Sequence, residues 1–177
     1  MKVEREIRIH QMMSHVNIIK FHHFFEDASF VHLILELAPQ TTLLHVSRMR
    51  EFLTEPEVRY YFRQIAAGTN YIHSKRILHR DLKLGNMFLS SNMTVKIGDF
   101  GLSTTFADNS TSLCGTPNYV SPGLYNTVGY SNVKLSCSDS VAEIIAKQGH
   151  SVESEIWSVG CIVYALLCGK PPFDSGK

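Results

Sequence analysis

The 177-residue sequence predicts an α+β fold, and three observations carry that expectation. Two β-rich runs, Ile18 to Phe25 and Phe30 to Leu37, flank the polar stretch Glu26-Asp27-Ala28-Ser29 and read as an antiparallel hairpin. Thr54-Glu55-Pro56-Glu57 opens a long amphipathic helix with a threonine N-cap, a proline in the first turn and a glutamate at N3. Met87-Phe88-Leu89 and Thr94-Val95-Lys96-Ile97 then surround a Ser90-Ser91-Asn92 turn as a second, shorter strand pair.

The remaining elements follow in order. Residues 1–13 place Val3, Ile7, Ile9, Met12 and Met13 among charges, a helical signal, and Ser14-His15-Val16-Asn17 reads as a turn. Pro39 closes the second strand, and Leu43 to Arg50 reads as a short helix. In the long helix, Val58, Tyr61, Phe62, Ile65, Thr69 and Ile72 share one face at 3.6-residue spacing, with the end expected near His73. Ile156 to Leu167 is apolar almost all round and reads as a buried helix. There are no internal repeats.

Composition narrows the function classes. Hydrophobic content of 44%, charged content of 19% and a net charge of +1 describe an ordinary soluble globular protein. That balance argues against a nucleic-acid surface or a polybasic membrane patch, and no apolar run is long enough to span a bilayer. The charged N-terminus is not a signal peptide. Cys114, Cys137, Cys161 and Cys168 have no C-x-x-C spacing and read as reduced thiols of a cytosolic or nuclear protein. None of the nine histidines has zinc-type spacing, and His22-His23 reads as a strand alternating in and out.

The chemistry is concentrated in His79-Arg80-Asp81-Leu82-Lys83-Leu84-Gly85-Asn86 and in Lys96-Ile97-Gly98-Asp99-Phe100-Gly101. Together they supply a base for an attacking hydroxyl, two oxygen ligands for magnesium and a cation near a transferred phosphate. Each residue alone has a plain structural reading: Asp81 as an N-cap, Asn86 as a turn cap, Lys83 as a surface charge, Asp99-Phe100-Gly101 as a strand-ending turn. Their order and spacing, continued by Gly115-Thr116-Pro117-x-Tyr119 and a Trp-bearing helix, favour phosphoryl transfer.

In these motifs the chain resembles the eukaryotic protein kinases, and within them the polo-like kinases. The marks are "LTEPEVRYYFRQI", "HRDLKLGN", "KIGDFGL", "LCGTPNY", "KQGHSVES" and "GKPPF". The resemblance implies a kinase-like two-lobe fold, with residues 1–38 as a remnant of the small lobe and 39–177 as part of the large one. It implies Mg-ATP as cosubstrate and protein Ser/Thr hydroxyls as acceptors, in cell-cycle type signalling. By position, Asp81 would be the base, Lys83 the contact to the γ-phosphate, and Asn86 and Asp99 the Mg2+ ligands. Arg80 would pair with an activation-loop phosphate on Ser112 or, second, Thr111; Thr116 would dock the substrate hydroxyl. Leu35 would be the gatekeeper, Glu36, Leu37 and Ala38 the hinge, Phe88 the floor under adenine, and Glu6 the carboxylate of the regulatory helix. A centrosome or spindle location rests on the same resemblance.

Three departures qualify it. Only five residues precede Glu6, and no Gly-x-Gly-x-x-Gly loop or strand lysine to pair with Glu6 is present. The hairpin is therefore expected to expose an unpaired edge, open to a covering partner, and the chain alone to have little kinase activity. Residues 123–142 interrupt the resemblance, and joining Pro122 to Glu143 restores Ser-Pro-Glu, so they read as an inserted intron or exon. Glu155-Ile156-Trp157 replaces Asp-x-Trp, with a carboxylate still expected to reach the catalytic-loop amides. The helices that complete the large lobe, and any polo-box domain, are expected to be missing. The competing readings are a non-catalytic binding module and an incomplete gene-model fragment.

Overall fold

A computed structural model describes residues 2–108, 114, 116, 119, 121 and 150–173. Residues 123–142, with Ser112 and Thr111, lie outside the described residues. In order, the elements are α1 (Lys2–Gln11), β1 (Phe21–Glu26), β2 (Val31–Leu35), α2 (Leu43–Arg50), α3 (Glu55–Ser74), β3 (Ile77–Leu78), a 3-10 turn (Leu84–Asn86), β4 (Met87–Leu89), β5 (Val95–Ile97), β6 (Thr104–Thr105) and α4 (Val152–Cys168). The strands form three antiparallel pairs among the described residues, β1–β2, β3–β6 and β4–β5.

The hairpin forms from the two β-rich runs, with strands shorter than the runs themselves. Asp27 closes its turn by accepting from the N–H groups of Ser29 and Phe30 at 2.7 and 2.8 Å. The register shifts between Phe21 and His23, so β1 carries a bulge. No β1 or β2 residue is fully buried, and Phe25, Phe30, Ile34 and Leu37 are exposed, the last at 82%. Among the described residues neither strand pairs with a third strand, so the expected unpaired edge is present.

Helix α3 starts as its cap dictates: the Glu57 carboxylate accepts from the Thr54 N–H at 2.9 Å and from its hydroxyl at 2.7 Å. Val58, Tyr61, Ile65, Gly68, Thr69 and Ile72 face inward. Each fully buried isoleucine contributes roughly 1.5–3 kcal/mol. Phe62 corrects the expected face: it is 42% exposed. The inward stripe instead runs through Gly68, where α3 meets β5 so closely that a Cβ would stand 2.7 Å from Ile97 Cδ1. A bulkier inward residue would hold the two apart.

Helix α4 begins earlier than the apolar run, at a Ser151 cap whose hydroxyl accepts from the Ser154 N–H at 3.3 Å. It packs on α3 with Val159, Cys161, Ile162, Ala165 and Leu166. The expectation of burial all round is corrected, since Ile156, Tyr164 and Leu167 are exposed. The helix ends at Gly169, whose φ of 73° is the left-handed cap that glycine adopts freely. A Cβ there would also collide with the Glu51 carbonyl oxygen. Gly169→Ala is expected to cost about 2 kcal/mol or more, read as a lower denaturation midpoint in urea; an unchanged midpoint would contradict the tight approach.

Two connections place the chemistry. Asn17 ties the N-terminal part to β5, accepting from the Ile97 N–H at 2.8 Å and donating from Nδ2 to Val95 O at 3.0 Å. Pairing of β3 with β6 brings the segment before Asp81 beside the segment after Asp99. Neither two-residue strand was legible as a strand in the sequence, because each exists only through the other.

Candidate active site

The loop after β3 is anchored on both sides of its carboxylate. Leu82 and Leu84 enter the core, and the Asn86 N–H closes the 3-10 turn on Lys83 O at 3.0 Å. His79 is fully buried; its Nε2 donates to Gly98 O at 3.1 Å and its Nδ1 accepts from the Asp81 N–H at 3.3 Å. Arg80 sits at φ 66°, a conformation that costs a side-chain-bearing residue roughly 1–2 kcal/mol. Glu155 offsets that cost. Its carboxylate accepts from the Arg80 N–H at 2.6 Å and pairs with His73 Nε2 at 2.6 Å, while Glu155 itself is 2% exposed. The expected reach of Glu155 to the catalytic-loop amides is thus present, one methylene longer than aspartate. His73, from the end of α3, is a partner the sequence reading missed.

Asp81 lies at the centre of a compact polar triangle. Lys83 Nζ donates to Asp81 Oδ2 at 2.6 Å and to Thr116 Oγ1 at 2.9 Å, and Thr116 donates to Asp81 Oδ1 at 2.7 Å. Asn86 Nδ2 donates to Asp81 O at 2.9 Å and to Oδ2 at 3.3 Å. A hydroxyl already donates to this carboxylate at the distance a general base needs. The Asn86 nitrogen is committed to Asp81, which leaves its amide oxygen as the donor available to a cation.

Asp99 approaches from the other side of the loop. The Gly98 N–H donates to Asn86 O at 3.0 Å, so the two motifs are joined through the backbone. Asp99 is exposed at φ 65°, and one carboxylate oxygen accepts from the Gly101 N–H at 3.3 Å. Phe100 is fully buried between the His10 ring of α1 (4.6 Å) and the His79 ring (5.1 Å), linking α1 to the catalytic loop. Asn86 and Asp99 present hard oxygen donors of the kind a magnesium ion takes, so these residues fit the cation.

Arg80 points away from the triangle. Its Nε donates to Leu102 O at 2.7 Å, and a terminal nitrogen is buried with no partner among the described residues. Burial draws its pKa below the usual guanidinium value; the Cys114 and Glu155 charges oppose that and Arg5 adds to it.

Of the residues expected on the nucleotide side, Phe88 pairs with Lys96 across β4 and β5, and Lys96 in turn holds Glu36. Phe88 lies against Gly98, where a Cβ would stand 2.9 Å from its ring and 3.1 Å from Ile19. Glu36 is fixed by Lys96 Nζ at 2.7 Å and by the Lys20 N–H at 3.0 Å. Burial pushes its carboxyl up, but the Lys96 and Lys20 hydrogen bonds outweigh that and leave it below the ordinary value. Leu35 and Leu37 are exposed and Ala38 is half-buried.

Glu6 reaches the same region from α1, its carboxylate so close that a Cβ on Gly101 would stand 3.4 Å from it. Among the described residues it has no salt bridge. Burial first, and then the Asp99 charge, hold its carboxyl above the ordinary range. An acid raised in this way stabilises the fold below its unfolded pKa, and that contribution is lost as pH rises through the folded one. Glu6→Gln is therefore expected to raise the melting temperature near pH 7 and to leave it unchanged at about pH 4, where Glu6 is protonated. Equal melting shifts at both pH values would contradict the assignment.

Comparisons with known proteins identify the family. The family described as "Protein kinase domain" matches residues 1–137. Serine/threonine-protein kinase PLK1 of Xenopus laevis is 45% identical over 177 aligned residues, covering 98% of this chain and 26% of that protein. Serine/threonine-protein kinase polo of Drosophila melanogaster is 44% identical, with 98% and 27% covered. Serine/threonine-protein kinase PLK2 of Mus musculus is 41% identical, with 98% and 23% covered. The chain spans about a quarter of the length of these relatives. With the kinase motifs, their order and their spatial meeting in hand, the chain belongs to the protein kinase family, and its likeness within that family is to the polo-type serine/threonine kinases.

Proposed function

We propose that this chain carries the phosphoryl-transfer half of a polo-type serine/threonine kinase site, acting on Mg-ATP and on protein Ser/Thr hydroxyls. The observation that supports it best is Asp81, which accepts from the Thr116 hydroxyl at 2.7 Å beside the Lys83 ammonium. In the reaction the acceptor hydroxyl takes the place of the Thr116 hydroxyl at Asp81, which accepts its proton. Lys83 neutralises charge on the transferred phosphate, and Thr116 orients the acceptor. Asn86 and Asp99 would hold Mg2+, which draws charge from the phosphate oxygens when bound. Leu35, Glu36, Leu37, Ala38 and Phe88 form the adenine side, and Glu6 the regulatory carboxylate. Arg80 receives a phosphate placed on Ser112 or Thr111. Residues 1–38 and 39–177 are read as parts of the two kinase lobes, with 123–142 as an insertion. Among the described residues no helix is long and apolar enough to cross a membrane; we place the chain in the cytosol or nucleus.

Turnover by this chain is slow, because among the described residues Glu6 has no lysine partner to align nucleotide phosphates. The test is transfer from γ-labelled Mg-ATP to dephosphorylated casein. Slow labelling confined to Ser and Thr, abolished by EDTA, is expected; a folded chain that transfers nothing at any concentration overturns the catalytic reading. The exposed face of Phe25, Phe30, Ile34 and Leu37 favours a second reading, in which a partner covers the hairpin and the chain acts as a binding module.

A further inference from the structure

A separate groove opens behind the catalytic loop, between the exit of α1, the end of α3 and the segment after β6. It encloses about 540 Å3, within the range of ligand sites, and contains neither Asp81 nor Asp99. Its floor is apolar: Met12, Ile77, Phe106 and Ala107 line it, and Met12 and Phe106 present exposed apolar surface. Its walls are held together by the Phe106 N–H donating to Arg76 O at 2.9 Å.

The rim is cationic. Lys75 and Arg76 are both exposed at its mouth, and neither forms a salt bridge among the described residues. Lys75 lies over the Tyr71 ring, 5.4 Å from its centre, a contact that leaves the ammonium open to an anion. The acid nearest the groove in sequence, Asp108, accepts from the hydroxyl of the groove-lining Thr105 at 2.8 Å, and its charge is matched by Arg8 at 4.0 Å. An apolar floor beneath two cations that have no ion pair among the described residues is complementary to an apolar side chain flanked by carboxylates. A nucleic acid would find no matching stripe, since the chain as a whole carries a net charge of only +1.

We propose that this groove docks an acidic peptide segment of a partner protein, with one aromatic or aliphatic side chain seated on Met12 and Phe106 and flanking carboxylates on Lys75 and Arg76. The anchor supplies most of the affinity by apolar burial, and the charges supply orientation and encounter rate. The site does not depend on the phosphotransfer reading, and it stands or falls by binding alone.

The test uses the full chain and a short fluorescein-labelled peptide with one central phenylalanine among glutamates, followed by anisotropy. Saturable binding that weakens with added salt is expected. K75E/R76E should weaken it by about tenfold or more. R59E/R63E, an equal charge reversal on the N-terminal half of α3, should leave it unchanged. Replacing the peptide's phenylalanine with alanine should also weaken binding. If the reversal disturbs folding by circular dichroism, K75Q/R76Q provides the same comparison with a smaller loss. The proposal is overturned by absent saturation, by equal weakening from both reversals, or by an alanine peptide that binds as tightly.

Discussion

Asp81→Asn is expected to lower the rate of phosphate transfer by about 10²–10⁴-fold while leaving the fold intact. The asparagine is isosteric, and its oxygen can still accept from Thr116 or Asn86, so the loop keeps its shape. The proposed base is lost, and so is the carboxylate that holds Lys83 at 2.6 Å. The check is the initial rate of transfer from labelled Mg-ATP, with nucleotide binding measured on the same preparation. Unchanged binding with a collapsed rate assigns Asp81 to the chemical step. A rate within about twofold of the parent would remove Asp81 from that role, since a positioned base contributes far more.

Glu155→Ala carries the largest expected effect on stability. Glu155 is 2% exposed and satisfies two groups at once, the Arg80 N–H and His73 Nε2, each at 2.6 Å. Truncation leaves both without their acceptor inside the protein, and it releases the left-handed Arg80 backbone that the carboxylate holds. Breaking a buried, hydrogen-bonded pair by removing one partner costs roughly 3–5 kcal/mol. For a chain of this size that lowers the melting temperature by about 10 °C. Glu155→Asp tests the geometry separately: a shorter side chain that still accepted from Arg80 would lose its reach to His73, and the double variant with His73→Ala would then add little. A melting temperature unchanged in Glu155→Ala would show that the loop is held by Leu82, Leu84 and the β3–β6 pair alone.

The two variants also separate assembly of the site from its chemistry. In the proposed reaction Asp81 would act at the reacting oxygen, whereas Glu155 would act through the Arg80 backbone. Loss of Glu155 should therefore reduce transfer in proportion to the loss of folded protein at higher temperature. Loss of Asp81 should reduce it at every temperature.

Much of this architecture was legible in local sequence. The α3 start at Thr54 and the β4–β5 turn at Ser90-Ser91-Asn92 depend on caps and turns completed within a few residues. The residues of the polar triangle were legible for a different reason: Asp81, Lys83 and Asn86 occupy one short loop, so their spacing confines them to a small volume. Thr116 joins them at hydrogen-bond distance across thirty-five positions, which spacing could not show.

Other features depended on distant partners. Phe62 faces outward and Gly68 inward because β5 presses on α3 at Gly68, a fact absent from the helix's own periodicity. Strands β3 and β6 are each two residues long and acquire their structure from one another. The 82-residue separation of His73 and Glu155 closes only when α4 packs on α3. Sequence by itself determined which chemical groups this protein carries and where its long helix begins, because propensity, capping and loop spacing act over a few residues. Tertiary structure alone decided that Phe62 turns outward and Gly68 inward, how Arg80 is held in a strained conformation, and that Glu155 pairs with His73, because packing and electrostatics depend on groups that folding brings together.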